Sequence, residues 1–75
     1  MIISDVNLIA YFFIDGKHTA AATAVYERDP SWIAPAQWRA EFLNVLATYV
    51  RSGRFSIDSA INKLATADKL VSTAN

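Results

Sequence analysis

Cysteine is absent from this 75-residue sequence, which excludes disulfides, thiolate zinc sites and cysteine nucleophiles. Gly16 and Gly53 are the only glycines, so a glycine-rich phosphate-binding loop is excluded as well. The longest apolar run, residues 8–14, is far shorter than the ~20 residues of a membrane-spanning helix. The first residues lack the basic segment of a secretory signal and include an early acid. We therefore expect a soluble, cytoplasmic protein that does not bind membranes.

An excess of charge is also absent, because seven basic side chains balance seven acidic ones. No overall field attracts the chain to nucleic acid or anionic lipid, so such binding must be local. Apolar residues, in contrast, make up 53% of the sequence, above the roughly 45–50% of ordinary domains. A domain this small buries only about 60% of the surface that its unfolded chain exposes. The surplus predicts that a second subunit, a partner or a missing part of the chain covers apolar surface.

Apolar periodicity and turn residues predict two short strands and four helices in the order βααβαα. Pro30 ends the second helix, and Pro35 suits the first turn of the third. Val71 is placed on the apolar face of the last helix, which Asn75 can end in a left-handed conformation. The predicted strands are residues 2–3 and 31–34, and the predicted helices are 6–13, 19–28, 36–51 and from 57 nearly to the end.

Strands separated by helices predict a parallel sheet, because a parallel crossover needs a dozen or more residues. No linker or repeat divides the chain, so residues 1–75 are expected to belong to one domain. Parallel sheets normally have more strands than two and helices on both faces. The pattern therefore indicates the opening half of an open α/β domain.

Two acids occupy positions that suit chemistry. Asp5 follows the first strand, at the edge where open parallel sheets bind ligands, although position alone favours a helix cap. Glu41 lies roughly 60° from Trp38 and about 40° from Val45 around the third helix, at the border of its apolar stripe. There it is either a solvated side chain or a carboxylate that faces a cleft and holds a cation or positions water.

The other polar candidates have simpler explanations. His18, the single histidine, follows a turn and is expected to be solvated. Scattered arginines are expected on the hydrated surface, with a phosphate-contacting role only if they border the same cleft.

Two segments, in this order and spacing, resemble the PIN-domain family and especially the VapC toxins of bacterial toxin–antitoxin pairs. The first is the strand that ends in Asp5, with Asn7 two positions later. The second is a Pro-x-x-Trp-x-x-Glu-x-x-Asn-Val run that starts at Pro35 and contains Glu41. Residues 51–54, followed by a capped helix, are also similar to the family at that point.

The resemblance implies a PIN-like parallel sheet with flanking helices, truncated to a βααβαα N-terminal half. It implies hydrolysis of RNA at a cluster of three or four acids that binds Mg²⁺ or Mn²⁺. Asp5 and Glu41 match the first two acids, as metal ligands and catalytic residues, and Asn7 matches a residue that positions substrate or water. The remaining acids of the family lie beyond its fourth helix, and Asp58 and Asp68 do not replace them.

We thus expect a PIN/VapC-type ribonuclease that is weak or inactive as this chain. Its expected partners are RNA, an antitoxin-like protein, and either a second copy of the chain or a missing C-terminal half. The alternative is a non-catalytic PIN remnant that serves as a dimerisation or antitoxin-binding module. A further alternative is a plain helical protein whose acids are caps and surface residues.

Overall fold

The computed structural model describes residues 1–74 and contains four helices and one three-stranded sheet in that range. The α/β class expected from the sequence is confirmed. In chain order the elements are β1 (Ile2–Ile3), α1 (Val6–Phe13), α2 (Thr19–Arg28), β2 (Trp32–Ala34), α3 (Trp38–Arg51), α4 (Ile57–Leu70) and β3 (Val71–Thr73).

The third strand corrects the predicted order βααβαα to βααβααβ. Helix α4 ends at Leu70, so Val71 is a buried strand residue and does not lie on a helix face. Val71 and Thr73 are β-branched and pair in parallel with β2, opposite Trp32 and Ala34. Three residues give too weak a preference to outweigh the helical pattern before them, and pairing with β2 decides the outcome. The helix stop suggested for Asn75 lies outside the described residues.

Local signals explain the helix ends. Asp5 and Ser56 accept backbone N–H bonds at the starts of α1 and α4, as capping residues do. Helix α3 begins at Trp38, two residues later than predicted, because Pro35 opens a turn in which its carbonyl accepts the Trp38 N–H at 2.9 Å. At the other end of α3, Gly53 has a φ of 78°, a left-handed conformation that suits glycine.

The sheet is entirely parallel, in the order β1-β2-β3, and its two faces differ. Successive side chains of a strand point to opposite faces of the sheet, and side chains that are paired in register lie on the same face. The row that contains Trp32 and Val71 is buried against the helices, whereas on the other face Ile3 is 82% exposed and Ser72 is exposed too. The helices therefore cover one face only, and the molecule is thin, measuring 34 × 28 × 16 Å.

The core lies between this face and the helices. Of the predicted apolar stripe of α3, Trp38, Phe42 and Leu46 are fully buried, whereas Val45 and Tyr49 are partly buried. The other buried core residues come from α1, α4 and the strands, namely Ile9, Ala67, Trp32, Ala34 and Val71. The sheet and α3 are thus held as one unit, which fixes the start of α3 relative to the end of β1.

Within residues 1–74, every helix falls short of the length and apolar character needed to cross a membrane.

Candidate functional site

Asp5 lies directly after β1, in extended backbone, and begins α1. Its Oδ1 accepts the Leu8 N–H at 2.9 Å, so the capping role considered for this residue is confirmed. The cap also places a negative charge at the positive end of the helix dipole. The side chain is exposed. Because this hydrogen bond uses one carboxylate oxygen, capping and ligand binding are compatible at Asp5.

Glu41 lies in the first turn of α3 and is exposed. Helices α1 and α3 both begin just after parallel strands, so both start at the carboxyl edge of the sheet. They run side by side, since Asn7 of α1 and Val45 of α3 line the same pocket of about 310 Å³. Neither Asp5 nor Glu41 lines that pocket. The structure thus brings Asn7 against α3 and leaves the two acids outside the pocket, at the helix starts.

The acids of the described chain do not gather into a complete metal cluster. Across residues 1–74 there is no group of three or more histidine, aspartate or glutamate side chains that could hold a metal ion. Asp68 is engaged elsewhere, in a two-pronged ion pair in which Arg39 donates from Nη2 to Oδ2 at 2.8 Å. This pairing raises the pKa of the Arg39 guanidinium and joins α3 to α4. Asp68 therefore serves α3–α4 packing.

Two residues at the carboxyl edge of the sheet have structural roles that the sequence did not predict. Thr73, at the end of β3, accepts a hydrogen bond from Nε1 of the buried Trp38 at 2.9 Å. Ser4 is almost completely buried and donates to the Ile33 carbonyl at 3.1 Å. Both bonds fix the edge from which Asp5 and α3 project. The β-branched residues Val71 and Thr73 stand on either side of Ser72, and this strand-like alternation could have indicated from the sequence that Thr73 belongs to a strand.

A second pocket adjoins the one beside Asn7. It measures about 440 Å³ and shares Ile14, Asp15 and Tyr49 with the first. Its remaining lining residues are Arg54, Phe55 and Lys63. Arg54, an arginine that the sequence predicted on the hydrated surface, thus borders a cleft formed by these two pockets, which extends to Asn7.

No protein-family model matches this sequence, and no curated protein or solved structure shows a significant match to it.

Proposed function

We propose that this chain provides part of a metal-dependent ribonuclease site of the PIN and VapC kind. In this proposal Asp5 and Glu41 are metal ligands and catalytic residues, and Asn7 positions water or substrate. The main support is the start of α1 and of α3 at one sheet edge, with an exposed carboxylate at each start. Ligands of open parallel sheets bind beyond this edge.

The available donors suit Mg²⁺ or Mn²⁺, since both ions prefer oxygen ligands and Asp5, Glu41 and Asn7 offer carboxylate and amide oxygens. Asp5 Oδ2 is not used by the cap bond. A bound metal ion in such a site activates water and neutralises developing phosphoryl charge. Two carboxylates supply only part of an octahedral shell. We therefore expect weak metal binding and low activity, with further acids supplied by another chain or segment.

Asp5→Asn tests this assignment without removing the helix cap, because asparagine is an equally good capping residue. We expect it to weaken Mn²⁺ binding about tenfold or more, because one of two anionic ligands is lost. Glu41→Gln is expected to act similarly. Electron paramagnetic resonance measures free Mn²⁺, and cleavage of single-stranded RNA with and without Mg²⁺ measures activity.

The matched control is Asp58→Asn, which removes an exposed first-turn carboxylate from α4 and should leave Mn²⁺ binding unchanged. Metal-dependent cleavage that survives Asp5→Asn would contradict the proposal. So would a wild-type chain that binds no Mn²⁺ at millimolar concentrations.

A second candidate function is a non-catalytic module that forms a homodimer. An apolar groove of about 270 Å³ lies between α3 and α4 and contains a single charged residue, Arg51. Leu43, Ile57 and Ile61 border it and are 52%, 65% and 59% exposed. A second copy suits this surface because two equal apolar helix pairs bury each other in a two-fold symmetric contact. An antitoxin-like partner is the competing occupant.

A further inference from the structure

The rings of Tyr49 and Phe55 stack at the corner between α3 and α4, with centroids 5.5 Å apart and planes only 8° apart. The guanidinium carbon of Arg54 lies 5.4 Å from the centroid of the Tyr49 ring, and Nζ of Lys63 lies 4.9 Å from that of Phe55. Both distances are within the range of cation–π attraction. Each cation is therefore held against a ring.

The backbone at the end of α3 fixes this arrangement. The Arg54 N–H donates to the Tyr49 carbonyl at 2.9 Å, and the Gly53 N–H donates to the Val50 carbonyl at 3.0 Å. With Gly53 in the left-handed region, these are the two bonds of a Schellman motif. The turn brings Arg54 back over the last turns of α3, next to the Tyr49 ring.

This corner forms one end of a longer groove, made of the two adjoining pockets and here named the basic groove. Its charged and aromatic lining residues are Tyr11, Asp15, Lys17, His18, Tyr49, Arg54, Phe55 and Lys63. Three of the seven basic residues of the chain border it, against one of the seven acidic residues. Although the whole chain is neutral, the groove is locally positive.

We infer that the basic groove binds single-stranded RNA, with Lys17, Arg54 and Lys63 contacting phosphates. Tyr11, which is 41% exposed, and the exposed His18 line the groove with their ring centroids 4.5 Å apart, and the exposed parts of these rings are the surfaces on which unpaired bases would stack. Asn7 lines the same groove, which leads a bound strand toward the proposed site. The inference thus rests on the proposed function for its substrate, while binding itself needs no metal.

Fluorescence anisotropy with a labelled oligouridine, in EDTA and at varied salt, tests the inference. Each phosphate contact on a single strand contributes about 0.7 to the slope of log affinity against log salt, so three contacts predict a slope of about −2. Neutralising two of them in Arg54→Gln/Lys63→Gln is expected to leave a slope of about −0.7 and to weaken binding about 20-fold at ~0.1 M salt.

Two further variants separate charge from folding. Arg54→Lys/Lys63→Arg keeps both charges and should retain the wild-type salt slope. Arg28→Gln/Lys69→Gln removes two exposed cations outside the groove and should change the slope little. Circular dichroism checks that each variant is folded.

The inference is overturned if wild type does not bind the oligonucleotide at low salt, or if the Arg54→Gln/Lys63→Gln variant binds it as wild type does. Displacement of RNA by poly-glutamate at equal charge concentration would also overturn it, in favour of an acidic peptide. If the RNA-binding test fails but RNA cleavage still depends on Asp5, only the role of the basic groove is rejected. RNA binding by the groove without any metal-dependent cleavage rejects the proposed ribonuclease alone.

Discussion

At Asp5 a single side chain has a structural and a proposed chemical role. Its bond to the Leu8 N–H satisfies one of the four unpaired donors of the first turn of α1. The same bond orients the carboxylate at the end of β1, on the sheet edge at which α3 also starts. A residue that caps the helix is thereby positioned in advance for any ligand at the sheet edge.

Asp29 joins three segments at the opposite edge of the sheet. Its carboxylate forms an ion pair with the amino group of Met1 and accepts the Ser31 N–H at 3.0 Å. Its carbonyl accepts a bond from Nε1 of the buried Trp32 at 3.0 Å. The amino group of Met1, followed by the Ser31 N–H, lowers the pKa of the Asp29 carboxyl below its ordinary value of 3.8.

This lowered pKa predicts a loss of stability in acid. The unfolded carboxyl binds protons more readily than the folded one, so Asp29 stabilises the fold fully above its ordinary pKa. The contribution disappears as the pH falls through the lowered folded pKa. Asp29→Asn should therefore lower the unfolding free energy near neutral pH and match wild type in strong acid, as measured by urea unfolding across pH.

Glu27→Gln is the control, because it removes an exposed carboxylate from the same helix end. A stability difference between wild type and Asp29→Asn that stays constant down to about pH 2 would contradict the linkage.

At the scale of elements, β3 and α3 support each other through the bond between Thr73 and Trp38. Thr73 terminates the strand that extends the sheet beyond β2, and Trp38 begins the helix that carries Glu41. An indole N–H that is buried without a partner is costly. The register of β3 therefore positions the first turn of α3.

Thr73→Val tests this link, since valine keeps the shape and the strand preference but removes the acceptor. We expect a loss of about 1–3 kcal/mol of unfolding free energy, the cost of an unpaired buried donor. Tryptophan fluorescence in urea measures it. Thr66→Val, within exposed α4 surface, should change stability by less than about 1 kcal/mol. Equal effects of the two substitutions would contradict the role assigned to Thr73.

At the scale of the whole molecule, two apolar surfaces lack cover among the described residues. One is the sheet face around Ile3, and the other is the groove between α3 and α4. Parallel sheets are normally covered on both faces, and large apolar patches are uncommon on monomers. The apolar surplus expected from the composition thus takes the form of two definite surfaces.

Ile61→Asp tests the homodimer, the second candidate function. A charge in the lining of the groove should prevent self-association, because the dimer would bury it without a partner. Light scattering over a range of concentrations is expected to show dimers for wild type and monomers for the variant. Asn62→Asp introduces the same charge one residue along, outside the groove, and should remain dimeric. A wild type that is monomeric at every concentration would exclude the homodimer.

The four helices and most of their limits follow from the sequence because their causes are local, whereas the start of α3 and the end of α4 differ from the prediction. Asp5, Ser56 and Gly53 act on backbone groups within a few residues, and the stripe from Trp38 to Leu46 has the helical period. The parallel arrangement also follows from the sequence, because helices separate the strands. The sequence alone likewise predicted that Asp5 caps a helix, and its proposed metal binding came from the resemblance to PIN domains.

Only the tertiary structure decided what depends on residues far apart in the chain. Residues 71–73 form a strand because β2 offers them hydrogen-bonding partners, and their own preference is too weak to predict it. The uncovered sheet face and the grooves arise from how complete elements pack. The basic groove joins Lys17, Arg54 and Lys63, which are distant in sequence, and the balanced total charge concealed it. Local interactions thus fixed the helices and the first two strands, whereas long-range packing decided β3 and determined which surfaces remain available for function.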